Sequence, residues 1–516
     1  MHELILTGGQ VHDGFGNPPV TADVAVSGGR VTAVGTGLGP ARRTLDADGL
    51  VVAPGFLDPH SHSDAVPFLP EAQPFKLYQG VTTEIVGNCG FTMAPTDPAT
   101  AGLAPISIGA RTFATFGDYL DAAEAAGPSN HLAALVGHNT LRLAAAGMAR
   151  ELPPGALERM CALAEEAFEA GAVGLSSGLE YVPGAYAGRA ELIALARVAR
   201  RHGGVYATHS RSESEGLAGA LDEAIDVARA AGIRLQVSHC KASGRAVHGG
   251  SALILGKLAA ARRQGVDVRG DLYPYQAFCT GLAAMLPPEA WEGGVEAMRA
   301  RLADPATRAA LRATAEDPAN GTSVGLWREV HPEDVQILEH TDPAVAGLRL
   351  AQVLDGREPW DALCDLLIAD PHAYAVCHTM HEDDVLAIMA DPLIAIGSDS
   401  GEPYGPNHPR TFGTFPRFLG RYVRERKVTG LAEAIRKVTS ATATQFGLTD
   451  RGWLGPGAAA DLVAFDPDTI GHAGGYDNPS VRPTGVVHVL LEGEPVLTGG
   501  EFGGLRRGRV IRPGRR

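Results

Sequence analysis

The feature that most constrains the fold is an alternation repeated through the middle of the chain. Short apolar runs stop at a polar residue or a glycine, and each is followed by a segment of helical period rich in Ala, Leu and Arg, such as Gly155-Ala-Leu-Glu-Arg-Met-Cys-Ala-Leu-Ala-Glu-Glu-Ala-Phe. Strand-then-helix units in series imply a parallel sheet, and this many in a row favour a (β/α)8 barrel. The runs end near Pro59, Cys89, Gly137, Ser176, His209, His239, Asp271, His378 and Asp399. Nine candidates for eight places leave one outside the barrel, and the run from Ala373 to His378 is the expected outsider. Residues 285–345, rich in Ala, Arg and Glu, read as a helical insertion ahead of the last strand, where it could act as a lid over the mouth.

Both flanks read differently. Leu4-Ile-Leu-Thr-Gly-Gly and Asp23-Val-Ala-Val-Ser-Gly-Gly-Arg-Val-Thr-Ala-Val-Gly are short strands punctuated by glycine, and the style returns in Ala460-Asp-Leu-Val-Ala-Phe-Asp and Val486-Val-His-Val-Leu-Leu-Glu-Gly-Glu-Pro-Val-Leu-Thr-Gly. The expected class is therefore α/β: a TIM-like (β/α)8 barrel over residues 56–450 with a small β-sandwich domain built from both termini, residues 1–55 and 451–516. A net charge of −15 argues against nucleic acid or an anionic membrane as partner, since both need a positive surface. No basic run precedes an apolar segment at the start and no stretch is apolar for long enough to span a bilayer, so a cytoplasmic protein is expected. The six cysteines form no CxxC pair and suit neither a disulfide framework nor a zinc finger. Gly28-Gly29 lacks the spacing of a dinucleotide fingerprint and reads as a turn.

The chemistry sits at the strand ends. Leu57-Asp-Pro-His60-Ser-His62-Ser-Asp64 closes the first strand, and side chains two apart on a strand share a face, so His60 and His62 can address one metal ion. Val205-Tyr-Ala-Thr-His209 and Leu235-Gln-Val-Ser-His239 each place one imidazole where an apolar strand stops, the rim on which barrel enzymes keep their sites. Asp399 follows Leu393-Ile-Ala-Ile-Gly-Ser and adds a carboxylate at that rim. Imidazoles and a carboxylate converging from four strands are a metal-site inventory. For His138, His378 and His381 a structural or solvent-exposed role is expected.

HxH after the first strand, single histidines after two middle strands and an aspartate after the last resemble the amidohydrolase superfamily over nearly the whole chain. Many two-metal members carry a carboxylated lysine after strand four; here that strand reads Ala172-Val-Gly-Leu-Ser-Ser-Gly-Leu-Glu-Tyr, without lysine. Strand two ends instead in Gly87-Asn-Cys89-Gly, which resembles the D-aminoacylase (N-acyl-D-amino-acid deacylase) branch. Thr208-His-Ser-Arg-Ser-Glu, Ser238-His-Cys-Lys241, Asp271-Leu-Tyr-Pro-Tyr275 and His408-Pro-Arg410-Thr-Phe-Gly extend the likeness; Phe278-Cys-Thr departs from the Gly-Ser-Thr-like stretch that relatives often carry.

The resemblance implies one tight Zn2+ site of Cys89, His209 and His239 and a second, weaker site of His60, His62 and Asp399. It further implies that a substrate carboxylate meets Lys241 and Arg410, with Tyr181 and Tyr273 or Tyr275 lining the pocket. The implied reaction is hydrolysis of N-acyl-D-amino acids by a metal-activated water, with Asp399 as general base and then general acid. L-Xaa-D-Xaa dipeptides are an alternative substrate, a dihydroorotase- or hydantoinase-type cyclic-amide hydrolase a more distant one, and a non-catalytic scaffold the least favoured, because all six ligand positions hold competent ligands. The partner is then a small molecule, and a homo-oligomer stays open.

Overall fold

The computed structural model describes residues 1–69, 74–100, 103, 111–317 and 325–513. Eight parallel strands form the barrel: Phe56–Asp58, Val81–Val86, His131–Gly137, Gly174–Gly178, Val205–His209, Arg234–Val237, Val268–Leu272 and Ile394–Ile396. All but one or two of their residues are buried, as the near-continuous apolar runs of a parallel sheet covered on both faces require. Each strand pairs with the next in sequence order. The first and eighth meet just beyond their ends, where Ser61 and Ser400 form a parallel bridge, the Asp399 amide donates to the His60 carbonyl (2.8 Å) and the His62 amide donates to that of Ser400 (2.8 Å).

Strands from both termini build a second, nine-stranded mixed sheet. Val51–Pro54 pairs antiparallel with Leu462–Phe465 and so joins the two halves. His2–Val11 runs parallel to Ala41–Asp46 along its first part and to Val51–Pro54 at its end, so the sheet divides around its own core of Leu4, Leu6, Val24, Val26, Val52, Leu462 and Leu490. Beyond it the chain returns to the barrel, where Val510 pairs with Leu132 at the start of the third strand.

The ninth apolar run lies outside the barrel, as expected. Tyr374–Cys377 is the central strand of a three-stranded antiparallel sheet between Phe278–Gly281 and Val335–Glu339. The insertion contains the helices Val295–Ala303 and Pro305–Glu316, but this small sheet and the helix Pro359–Ala369 make it longer and less purely helical than its alanine-rich stretch suggests. Of the expected insertion, residues 318–324 lie outside the described residues.

The seam between first and eighth strands encloses a charged cluster. Lys76, fully buried, places its ammonium 2.6 Å from Asp58 Oδ2, 3.0 Å from Glu84 Oε1 and 2.9 Å from Ser398 Oγ. Asp58 Oδ1 accepts the amides of both His60 (3.2 Å) and Ser398 (2.9 Å), and Glu84 also accepts from Ser61 Oγ (2.7 Å) and Asn130 (2.7 Å). Lys76→Met leaves two buried carboxylates without their cation, which costs about 3–5 kcal/mol. The denaturant midpoint of this variant should fall well below wild type; an unchanged midpoint would contradict the cluster's role.

Candidate metal centre

Each candidate ligand leaves the barrel at a strand's carboxyl end, but three do so with an unusual backbone. Cys89 (φ 51°), His239 (φ 33°) and Asp399 (φ 50°) sit in the left-handed region, which non-glycine residues seldom adopt and which costs about 1–3 kcal/mol each. Directional bonds hold them there. The His239 amide donates to Asp271 Oδ1 (2.7 Å), the Asp399 amide to the His60 carbonyl, and the Cys89 turn is pinned by Ser176, whose hydroxyl donates to the Gly87 carbonyl and accepts from the Gly90 amide.

That turn lies directly on the end of the fourth strand. A Cβ at Gly178 would come within 2.1 Å of the Cys89 carbonyl oxygen, so the fourth strand must end in glycine for the turn to seat. The fourth strand reads Gly-Leu-Ser-Ser-Gly, without lysine, beneath a cysteine delivered from the end of the second strand.

The side chains converge as two groups that share Cys89. In one, Cys89 Sγ lies 3.4 Å from His239 Nε2, which is 2.9 Å from His209 Nδ1. In the other, His60 Nε2 is 3.3 Å from Cys89 Sγ and 3.4 Å from Asp399 Oδ1, and His62 Nε2 is 3.1 Å from the same carboxylate oxygen. Within each group the donor atoms all lie within 4.8 Å of one another. Thiolate, imidazole and carboxylate at this spacing fit a borderline-soft divalent ion.

Carboxylates lie behind the imidazoles, and at His209 the hydrogen bond to Glu180 fixes the tautomer that turns Nδ1 inward. His209 Nε2 meets Glu180 Oε2 (2.8 Å), His239 Nδ1 meets Glu213 Oε1 (2.9 Å) and His60 Nδ1 meets Asp271 Oδ1 (3.3 Å). Burial opposes ionisation of Cys89, but the neighbouring His60 and His239 outweigh it and hold the thiol well below its usual range, which favours the ligating thiolate. Burial likewise opposes a charge on Asp399, and Arg410 and His60 overcome it, so the carboxyl is held ionised.

A cavity of about 430 Å³ opens over these groups. His62, Cys89, His209, His239, Asp399, Tyr181, Lys241 and Arg410 line it, while the fully buried His60 lies behind. Lys241 Nζ is 2.5 Å from Glu213 Oε2 and 2.8 Å from His239 Nδ1, and Arg410 Nη1 is 2.8 Å from Asp399 Oδ2, yet finds no hydrogen-bond acceptor among the described residues. The ring of Tyr273 sits 4.8 Å from the Arg410 guanidinium carbon and 5.8 Å from Lys241 Nζ; its buried hydroxyl also lacks a partner among the described residues. Tyr275 is turned away: it is buried and donates to the Pro409 carbonyl (3.1 Å). His138 is tied to Glu191, and His381 caps the helix Glu382–Ala390, both structural positions. Glu180, Glu213 and Lys76 were not singled out in the sequence, although Glu213 follows His209 by one helical turn's spacing, and Asp271 was read as a strand end and motif residue without a role behind His60.

The sequence pattern of the amidohydrolase family matches residues 43–497. The chain is 38% identical to the N-acyl-D-glutamate deacylase of Alcaligenes xylosoxydans xylosoxydans over 95% of its own length and 93% of that protein's. It is 36% identical to the D-aminoacylase of the same organism, over 99% and 97%. Among solved structures, the N-acyl-D-glutamate deacylase of Bordetella bronchiseptica, complexed with zinc and a phosphonate mimic of the tetrahedral intermediate, superposes with a TM-score of 0.84 at 35% identity, covering 99% of both chains.

If Cys89 is a ligand, protein loaded with Co2+ in place of the native ion should show a thiolate-to-cobalt charge-transfer absorption. Cys89→Ser should abolish it and weaken metal retention on dialysis, whereas His62→Ala should keep it. A spectrum unchanged in Cys89→Ser would remove the thiol from the site.

Proposed function

The chain belongs to the amidohydrolase family, and on that footing we propose that it hydrolyses the amide bond of N-acyl-D-amino acids, releasing a carboxylic acid and a D-amino acid. The observation that carries this reading is the meeting of Cys89, His209 and His239 beside an ionised Asp399 in a cavity that also holds the cations of Lys241 and Arg410. Cys89, His209 and His239 would hold Zn2+ tightly, and His60, His62 and Asp399 would form a weaker second position. When bound, zinc polarises an amide carbonyl and lowers the pKa of water from 15.7 to about 7.

The protein's own groups do the rest. Asp399 accepts the proton of the attacking water as its oxygen bonds to the carbonyl carbon. The same proton is then returned to the amide nitrogen as the C–N bond breaks. Arg410 presents a planar fork and Lys241 a point charge to the substrate carboxylate, with Tyr181 along the wall and the Tyr273 ring packed against both cations. Fixing the carboxylate, the scissile carbonyl and the side chain at once is what lets a site distinguish hands.

The test is zinc-loaded protein with matched N-acetyl-D- and N-acetyl-L-leucine, following released amine. Turnover of the D form alone is expected; equal rates for both hands would reject the reading. Asp399→Asn should lower kcat by about 10²–10⁴-fold with zinc retained at Cys89, and an active variant would remove Asp399 from its role.

A further inference from the structure

The charge inventory of the cavity bears on which D-amino acids fit. Seven of its described lining residues carry a carboxyl group, and only Lys241 and Arg410 carry a permanent positive charge. Each of these already lies beside a carboxylate, Glu213 and Asp399 respectively. The remaining histidine of the wall, His408, has both nitrogens engaged, on the Ala277 carbonyl and the Arg410 amide, and burial together with Arg410 keeps it neutral.

The α-carboxylate of any substrate uses the Lys241 and Arg410 corner. A side-chain carboxylate would then need a second cation, and none of the other described lining residues supplies one. An unpaired carboxylate brought out of water is strongly disfavoured. Phe91, Met93, Phe278, Leu326, Leu338 and Tyr374 offer apolar wall to a neutral group.

We propose that this enzyme selects N-acyl-D-amino acids with neutral side chains and discriminates against D-glutamate and D-aspartate, because the cavity's described lining residues include no cation beyond the pair that takes the α-carboxylate. The proposal rests on the deacylase reading above. It runs against the 38% identity to a D-glutamate enzyme, but identity averages over the whole chain, whereas selection by charge is decided by one or two side chains in the site.

The experiment compares kcat/KM of the zinc-loaded full chain for N-acetyl-D-leucine, N-acetyl-D-glutamine, N-acetyl-D-glutamate and N-acetyl-D-aspartate. D-glutamine and D-glutamate have nearly the same shape, so their ratio isolates the charge. The expected result is turnover of the leucine and glutamine derivatives with values about tenfold or more above those of the acidic pair. D-glutamate hydrolysed as well as D-glutamine would overturn the selectivity and leave the deacylase reading intact. No turnover of any of the four would overturn that reading and the selectivity with it.

Discussion

The mouth of the barrel depends on how its first and eighth strands are held together. Both are only three residues long and, among the described residues, meet only through the isolated Ser61–Ser400 bridge, so strand pairing cannot fix the geometry of the turns that follow. A single carboxylate does so instead. Asp58 Oδ1 accepts amides from both turns, at His60 and at Ser398, and its other oxygen is anchored by the buried Lys76. Buried ion clusters contribute little net stability against an apolar replacement, but breaking one is costly and its bonds are directional. Here they fix the relative positions of His60, His62 and Asp399.

The same rim carries conformational strain. Among the described residues six non-glycines adopt positive φ, and Cys89, His239 and Asp399 are half of them. Such conformations persist where the surroundings over-determine them, and they gather at functional sites. Glu180, Glu213 and Asp271 lie behind the imidazoles and extend the arrangement outward: Glu180 orients the His209 ring, and Glu213 is shared between His239 and Lys241. The ion-facing side and the substrate-facing side are thereby mechanically joined, since moving Lys241 displaces the partner of His239.

Much of this was legible in the chain. His60, His62, His209, His239 and Asp399 could be found because strand period and strand ends place a residue in space without knowledge of its partners. The outlying strand at Tyr374–Cys377 was legible by counting alone. Cys89 needed the family likeness, since a lone cysteine after an apolar run is usually a packed small residue. Lys76 and Glu180 were not legible, because their roles arise from contacts between segments far apart in sequence and no local pattern records them; Asp271 was legible as a strand end, but not its place behind His60. Tyr275 shows the converse: it belongs to the same short motif as Tyr273, yet two residues along the chain its hydroxyl is committed to the backbone at Pro409. The small sheet of the insertion escaped notice because its strands are four or five residues long and are separated by helices.

The central claim is that Cys89, His209 and His239 surround one zinc ion. X-ray absorption on the protein with one equivalent of zinc tests it most directly. The account predicts a single sulfur at about 2.3 Å and nitrogen or oxygen ligands at about 2.0–2.2 Å, with the sulfur shell missing in Cys89→Ser. A zinc environment of nitrogen and oxygen alone in the unmodified protein would contradict it.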